Sequence, residues 1–173
     1  IVQDPYTSYY DAKVIRDFVA LTQKLGFDPI LLPFKPNGKA MHIKGFLARF
    51  SKTAKTQAEF LNRVAKLNVP LVGVDPAIVL SYRDEYKEAL GDSRGDFHVL
   101  TAHEWLTNQL ESNALQSAVK NIAKSDRTFE WHLFPHCTES TFMPNSPKEW
   151  QHIFAQFGQT LKVEKVGCCG MAG

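Results

Sequence analysis

A chain of 173 residues with 44% apolar and 22% charged residues has an ordinary globular composition, enough for one sizeable core or two small lobes sharing one. A formal net charge of +2, with Lys and Arg scattered, excludes an electrostatic case for nucleic acid, and no apolar run approaches a membrane span. There is no signal-peptide pattern, and three cysteines, two of them adjacent, make a poor disulfide framework, so a reducing cytoplasm is the expected compartment. The opening Ile1-Val2-Gln3-Asp4 has no initiator Met and the closing Gly170-Met171-Ala172-Gly173 reads as loop, so a piece of a larger protein is expected.

Strand and helix signals alternate along the chain. Ile1 to Gln3 reads as the tail of a strand. Asp11 suits the N-cap of a helix with Val14, Ile15, Phe18, Leu21 and Leu25 on one face, closed by Gly26. Pro29 to Pro33 reads as a short buried strand before the turn at Pro36-Asn37-Gly38. Thr53 to Leu67 predicts a helix with Phe60, Leu61, Val64 and Leu67 inward. Pro70 to Val74 predicts a buried strand, and Ile78 to Leu90 a helix. Thr101-Ala102-His103-Glu104 has capping-box spacing ahead of Trp105 and Leu106. Phe129 to Phe134 predicts a strand. Ser146-Pro147-Lys148-Glu149 is a second capping box, leading into Trp150, Ile153, Phe154 and Phe157 before Gly158, and Leu161 to Val166 is the last strand. This rhythm implies an α/β fold of βαβ units with short parallel sheets flanked by helices.

An internal repeat sharpens the organisation. When Gly158 is laid on Gly26, the last strand falls on Pro29 to Pro33. Cys168-Cys169-Gly170 then falls on Pro36-Asn37-Gly38 without a gap, and Cys137 falls within one residue of Asp4. Two pseudo-repeated units are therefore expected, residues 1–110 and 111–173, the second truncated after its Cys-Cys-Gly.

The cysteines carry the chemistry. Cys137 follows a strand, and Gly167-Cys168-Cys169-Gly170 follows another. Glycines let the backbone curl so that neighbouring sulfurs converge on a soft metal or an iron–sulfur cluster. Parallel strands joined by a right-handed crossover have their carboxyl ends on one sheet edge, which would bring Cys137, Cys168 and Cys169 together. The competing reading is that free cysteines act as small core hydrophobes.

These residues carry a family likeness. A strand-end cysteine followed after roughly thirty residues by Cys-Cys-Gly resembles the cysteine-rich CCG domain. That domain occurs in the cysteine-rich component of heterodisulfide reductase and in the iron–sulfur components of glycolate oxidase and anaerobic glycerol-3-phosphate dehydrogenase. It also occurs at the C-terminus of large FAD-linked oxidases of the D-lactate and D-2-hydroxyacid dehydrogenase type, which this sequence resembles most. Two tandem copies are usual there, each continuing to a later Cys-x-x-Cys element; in the first copy Asp75 and Ile78 stand where those cysteines would be. The resemblance implies an electron-transfer region of a FAD-linked iron–sulfur oxidoreductase acting on a small D-2-hydroxyacid such as D-lactate, glycolate or 2-hydroxyglutarate. A 4Fe-4S cluster would be held by Cys137, Cys168 and Cys169, and FAD would bind in another region of the parent. The implied partners are the flavin-binding and ferredoxin-like regions of the same polypeptide or complex and an electron acceptor. The implied location is the cytoplasm or the periphery of the inner membrane. The first copy, with Asp4, Pro36, Asn37, Asp75 and Ile78 in the ligand places, cannot ligate a cluster. The second lacks a fourth ligand, for which a missing downstream segment is favoured over His136 or His132. The alternatives are a cluster-free structural or interaction domain, a zinc site, and a thiol enzyme using Cys168 or Cys169 as nucleophile.

Other candidates are weaker. His136 beside Cys137 could lower the thiol pKa, hydrogen-bond a sulfur or ligate metal; His132 could merely face one side of its strand. Arg83, Asp84 and Glu85 read as a solvated helix face, and Asp4 and Asp75 as strand-end helix caps. No glycine-rich phosphate loop, Ser-His-Asp constellation or paired-carboxylate motif stands out.

Overall fold

In the computed structural model, which describes residues 1–111, 115–122 and 129–167, the first half opens on α1 (Pro5–Tyr9) and α2 (Ala12–Lys24). Ile15, Phe18 and Leu25 are buried as the periodicity requires, but Val14 is exposed at the margin of that face. Gly26, at φ +90°, ends the helix in the left-handed region. Pro29 to Pro33 is not a laddered strand. It lies beside the first residues through Ile1 N to Ile30 O (2.6 Å), Leu32 N to Ile1 O (2.9 Å) and Gln3 Nε2 to Leu32 O (2.7 Å). Two prolines without N–H groups deny the segment a regular ladder.

After α3 (Lys39–Ile43), α4 (Leu47–Ala65) starts six residues ahead of the expected Thr53 and buries Phe50, Ala54, Ala58 and Leu61 along one stripe. Leu67 falls past its end and is exposed. Strand β1 (Leu71–Gly73) follows. The single helix expected over Ile78–Leu90 is two, α5 (Pro76–Arg83) and α6 (Glu85–Leu90), broken at Asp84. Tyr86, four residues after buried Tyr82, is buried too, and its hydroxyl donates to Asn37 O at 2.6 Å. A 3₁₀ turn (Gly91–Arg94), β2 (Val99–Thr101) and α7 (Ala102–Leu110) complete this half. Strand β2 has too few residues to show an alternation in sequence. Arg83 and Glu85 are not a solvated face. Arg83 forks onto Glu104 at 3.0 and 2.5 Å and reaches Val99 O at 2.8 Å, while Glu85 pairs with Lys39.

The second half comprises α8 (Gln116–Ile122), β3 (Glu130–Leu133), α9 (Cys137–Phe142), α10 (Ser146–Gln156) and β4 (Thr160–Val163). Ser146 is the first helical residue rather than the cap; Asn145 holds that position without a side-chain bond. Pro147 is accommodated because the first turn has no intrahelical use for its N–H.

Both sheets are parallel pairs. Leu71, Val72 and Gly73 lie opposite Val99, Leu100 and Thr101, with Val2 bridged to Gly73, and Glu130 to Leu133 lie opposite Thr160 to Val163. The β1–β2 sheet is covered on both faces, so its strands read as continuous apolar runs. On one face Leu71 and Val99 pack with Phe50, Leu61, Val79, Tyr82 and Phe97. On the other, Val72 packs with Phe18, Leu25, Trp105, Leu106 and Ile153. Ile153 belongs to α10, so the two halves share this second core.

The same backbone bonds recur 132 positions apart, the interval from Gly26 to Gly158. Leu32 N to Ile1 O and Glu164 N to Leu133 O are both 2.9 Å. Gly26 N to Gln23 O (2.9 Å) matches Gly158 N to Ala155 O (3.0 Å), and Phe27 N to Thr22 O (3.1 Å) matches Gln159 N to Phe154 O (3.0 Å). The same interval relates the first residues of α1 and α9 and lays their caps, Asp4 and His136, on each other. The expected equivalence of Cys168 with Pro36 lies outside the described residues.

Candidate functional site at the strand ends

The segment at Val2 and strands β1, β2 and β3 are each followed by a residue that caps the next helix. Asp4 Oδ1 accepts from Thr7 N at 2.8 Å, and its other oxygen takes the Thr7 hydroxyl. Asp75 Oδ1 accepts from Ile78 N at 3.1 Å. Thr101 and Glu104 close a reciprocal capping box, and His136 Nδ1 accepts from Thr138 N at 3.3 Å. The cap reading of Asp4 and Asp75 is therefore the observed one. Gly73 makes the close approach of α5 possible: a Cβ there would stand 2.5 Å from Val79 Cγ2.

Burial pushes the Asp75 carboxyl above the usual range, and the charge of Asp4 adds to the rise; the Ile78 N–H and His136 oppose it. Burial, with Asp4 and Asp75 nearby, also drives the Tyr82 phenol well above its ordinary value. These residues surround a pocket lined by Val2, Asp4, Gly73, Asp75, Val79 and Tyr82 that leaves no room for a water molecule. Asn37 is buried with its Oδ1 on Lys39 N, its carbonyl on Tyr86 and its Nδ2 without a partner among the described residues, and Ile78 belongs to the core. The first-half positions where the resemblance expects ligands thus hold hard or apolar groups, with Asp4, Asp75 and Ile78 around a closed space that Asn37 does not line, and they do not fit a cluster that wants thiolates.

The second half differs. Cys137 is a free, half-buried thiol at the first turn of α9, bordering an open cleft of about 510 Å³ with Pro135, Ser140, Glu164, Lys165, Val166 and Gly167. His136 spends Nδ1 on the cap, which leaves Nε2 as the ring nitrogen that the cap does not use. His132 is engaged elsewhere, in an exposed network with Glu164 (2.6 Å) and Glu130 (3.3 Å), where Lys162 holds the Glu130 carboxyl below its usual range. Cys168 and Cys169 lie outside the described residues. Among the described residues no three His, Cys, Asp or Glu side chains are placed to share a metal ion, so Cys137 and His136 do not by themselves make a complete donor set.

One polar cluster is not foreseen as such in the sequence, although Thr101, His103 and Glu149 stand in the two capping-box motifs. His103, buried on α7, has Nδ1 at 3.1 Å from Thr101 Oγ1 and 3.2 Å from Glu139 Oε1 on α9. Its Nε2 stands 3.2 Å from Glu149 Oε2 on α10, out of line for a hydrogen bond. Trp150 Nε1 donates to Glu139 at 3.2 Å. The cluster stitches the two halves together. Only the polar residues inside otherwise apolar helix faces could have hinted at it.

The fold and these strand-end caps define an α/β protein with parallel sheets whose carboxyl edges carry the polar groups and the thiol, the edge where open α/β sheets place ligands. Compared with known proteins, the whole chain is similar to part of D-2-hydroxyglutarate dehydrogenase from Haemophilus influenzae, 83% identical over 173 residues that make up 17% of that protein. It is 60% identical to the Escherichia coli protein of the same name and 38% identical to that of Pseudomonas putida, covering 16% of each. The chain thus spans about one-sixth of the length of the curated relatives it matches. No family model and no solved structure matches it.

Proposed function

We propose that this chain is the cysteine-rich electron-transfer region of a FAD-linked D-2-hydroxyacid dehydrogenase, and that D-2-hydroxyglutarate is the substrate of the whole protein. The observation that carries this reading is the match of the entire chain, at 38 to 83% identity, to segments of proteins bearing that name. The thiol of Cys137 beside an open cleft supports it, in contrast with the closed, sulfur-free pocket of the first half. On this reading residues 1–110 are a CCG-like repeat kept for structure, and residues 111–173 are the repeat that binds. Cys137, Cys168 and Cys169 would hold a 4Fe-4S cluster, with His136 alongside. When bound, FAD supplies hydride acceptance and the cluster one-electron transfer. The partners are the flavin-binding and ferredoxin-like regions of the polypeptide and an electron acceptor, in the cytoplasm. Among the described residues no helix is long and apolar enough to cross a membrane.

The test is made in the full-length polypeptide. Iron and acid-labile sulfide per chain are compared for wild type, Cys137→Ser and Cys168→Ser, beside oxidation of D-2-hydroxyglutarate with an artificial acceptor. Both variants should lose most of the iron that this region holds. Equal iron in all three would return the cysteines to ordinary packing, zinc in place of iron would make the site structural, and no oxidation of the hydroxyacid would end the dehydrogenase reading.

A further inference from the structure

The repeat supplies an internal template for what β3 lacks. In the first half the segment at Ile1 and Val2 is flanked on both sides. Ile1 O accepts from Leu32 N on one side, and Val2 N donates to Val72 O of β1 at 2.7 Å on the other. In the second half Leu133, the counterpart of Ile1, accepts from Glu164 N on the β4 side in the same way. Parallel strands alternate their backbone groups between the two edges. The N–H and C=O of His132 and Phe134 therefore face the edge away from β4, as those of Val2 face β1. Among the described residues nothing pairs with that edge. The exposures follow: Val2 is 4% exposed and its counterpart Phe134 66%, while Trp131 is 46% exposed. Pro135 directly after the strand does not block the edge, because the N–H it lacks would point toward β4.

We propose that this free edge of β3 is a docking edge for a third parallel strand, supplied by the same polypeptide about seventy residues beyond Phe134, the interval from Val2 to Gly73. This rests on the reading above that the chain is a region of a longer protein, whose relatives are about six times its length. The occupant is a short strand in the place of Leu71-Val72-Gly73, apolar on the side that joins Trp131, Leu133, Leu161 and Val163, because that face of the sheet is apolar while the other carries Glu130, His132 and Lys162. A two-stranded sheet with an open edge is otherwise a template for intermolecular pairing, which the docked strand removes.

Amide hydrogen exchange in the full-length polypeptide tests this. The His132 and Phe134 amides should exchange at least a hundredfold more slowly than in an unstructured peptide, and Phe134→Pro, which removes an N–H from the docked edge, should lower the melting temperature. If those amides exchange within tenfold of the unstructured rate while Leu133 is protected, the edge is free and the proposal fails. Protected amides in a protein that holds no iron and leaves D-2-hydroxyglutarate untouched would retain the docked strand and discard the functional reading. Iron and activity with an unprotected edge would do the reverse.

Discussion

Single residues at the strand ends trade local order against buried charge. Asp75 illustrates the balance. Its native pKa lies above the unfolded one, so the folded protein binds that proton more tightly. The associated stability is present in full below the unfolded carboxyl range, near 3.9, and is lost as pH rises through the native pKa. Asp75→Asn keeps an oxygen for the Ile78 N–H and removes the charge. It should raise the melting temperature at pH 7, with the gain vanishing below about pH 4, as followed by thermal denaturation across pH. Asp75→Ala forfeits the cap as well, at about 1 kcal/mol. His103 poses a different balance. Its removal leaves the Glu139 carboxylate buried with Trp150 Nε1 as its remaining partner among the described residues, so His103→Ala should cost about 3 kcal/mol in urea denaturation. The double variant His103→Leu, Glu139→Met should cost less than the sum of its parts.

At the scale of elements, the duplicated helix ends give a controlled comparison. Gly26 and Gly158 both sit at positive φ with open space where a Cβ would go. Alanine at either position meets only the backbone penalty, about 1–2 kcal/mol, and the two penalties should agree if the ends are equivalent. The fork from Arg83 to Glu104 and Val99 O ties the end of α5 to β2 and to the capping box of α7. Lysine keeps the charge but cannot form the fork, so Arg83→Lys should cost about 1–2 kcal/mol by denaturant titration. The elements legible in sequence were those with a long period, a reciprocal cap or a strand pattern: α2, α4, the box at Thr101, the apolar run of β1 and the alternating β3 and β4. Three-residue β2 and the break at Asp84 were not legible, because residues far along the chain decide them. Arg83 holds β2 through Val99 O, and the residues on either side of Asp84, Arg83 and Glu85, reach Glu104 and Lys39.

At the scale of the molecule, a shared core and a polar cluster bind the halves, beside the packing of α9 on α5. Ile153 on α10 packs among Phe18, Val72 and Trp105 of the first half. Ile153→Ala should therefore cost about 2–5 kcal/mol and destabilise both halves together. Tryptophan fluorescence and far-UV ellipticity should still report one coincident transition; separate transitions would make the halves independent folding units.

The sequence by itself determined the α/β class, the parallel sheets, the repeat interval and the identity of the strand-end residues, Cys137 and His136 among them. These follow from apolar periodicity, helix-stopping glycines and cap chemistry, all local properties. The tertiary structure alone decided that the first-half pocket is closed around Asp4, Asp75 and Tyr82 while the cleft at Cys137 is open. It alone placed His103 between Glu139 and Glu149. Whether a strand-end pocket opens or closes depends on which side chains distant elements bring to it, and the balance of burial against charge is set only once they meet.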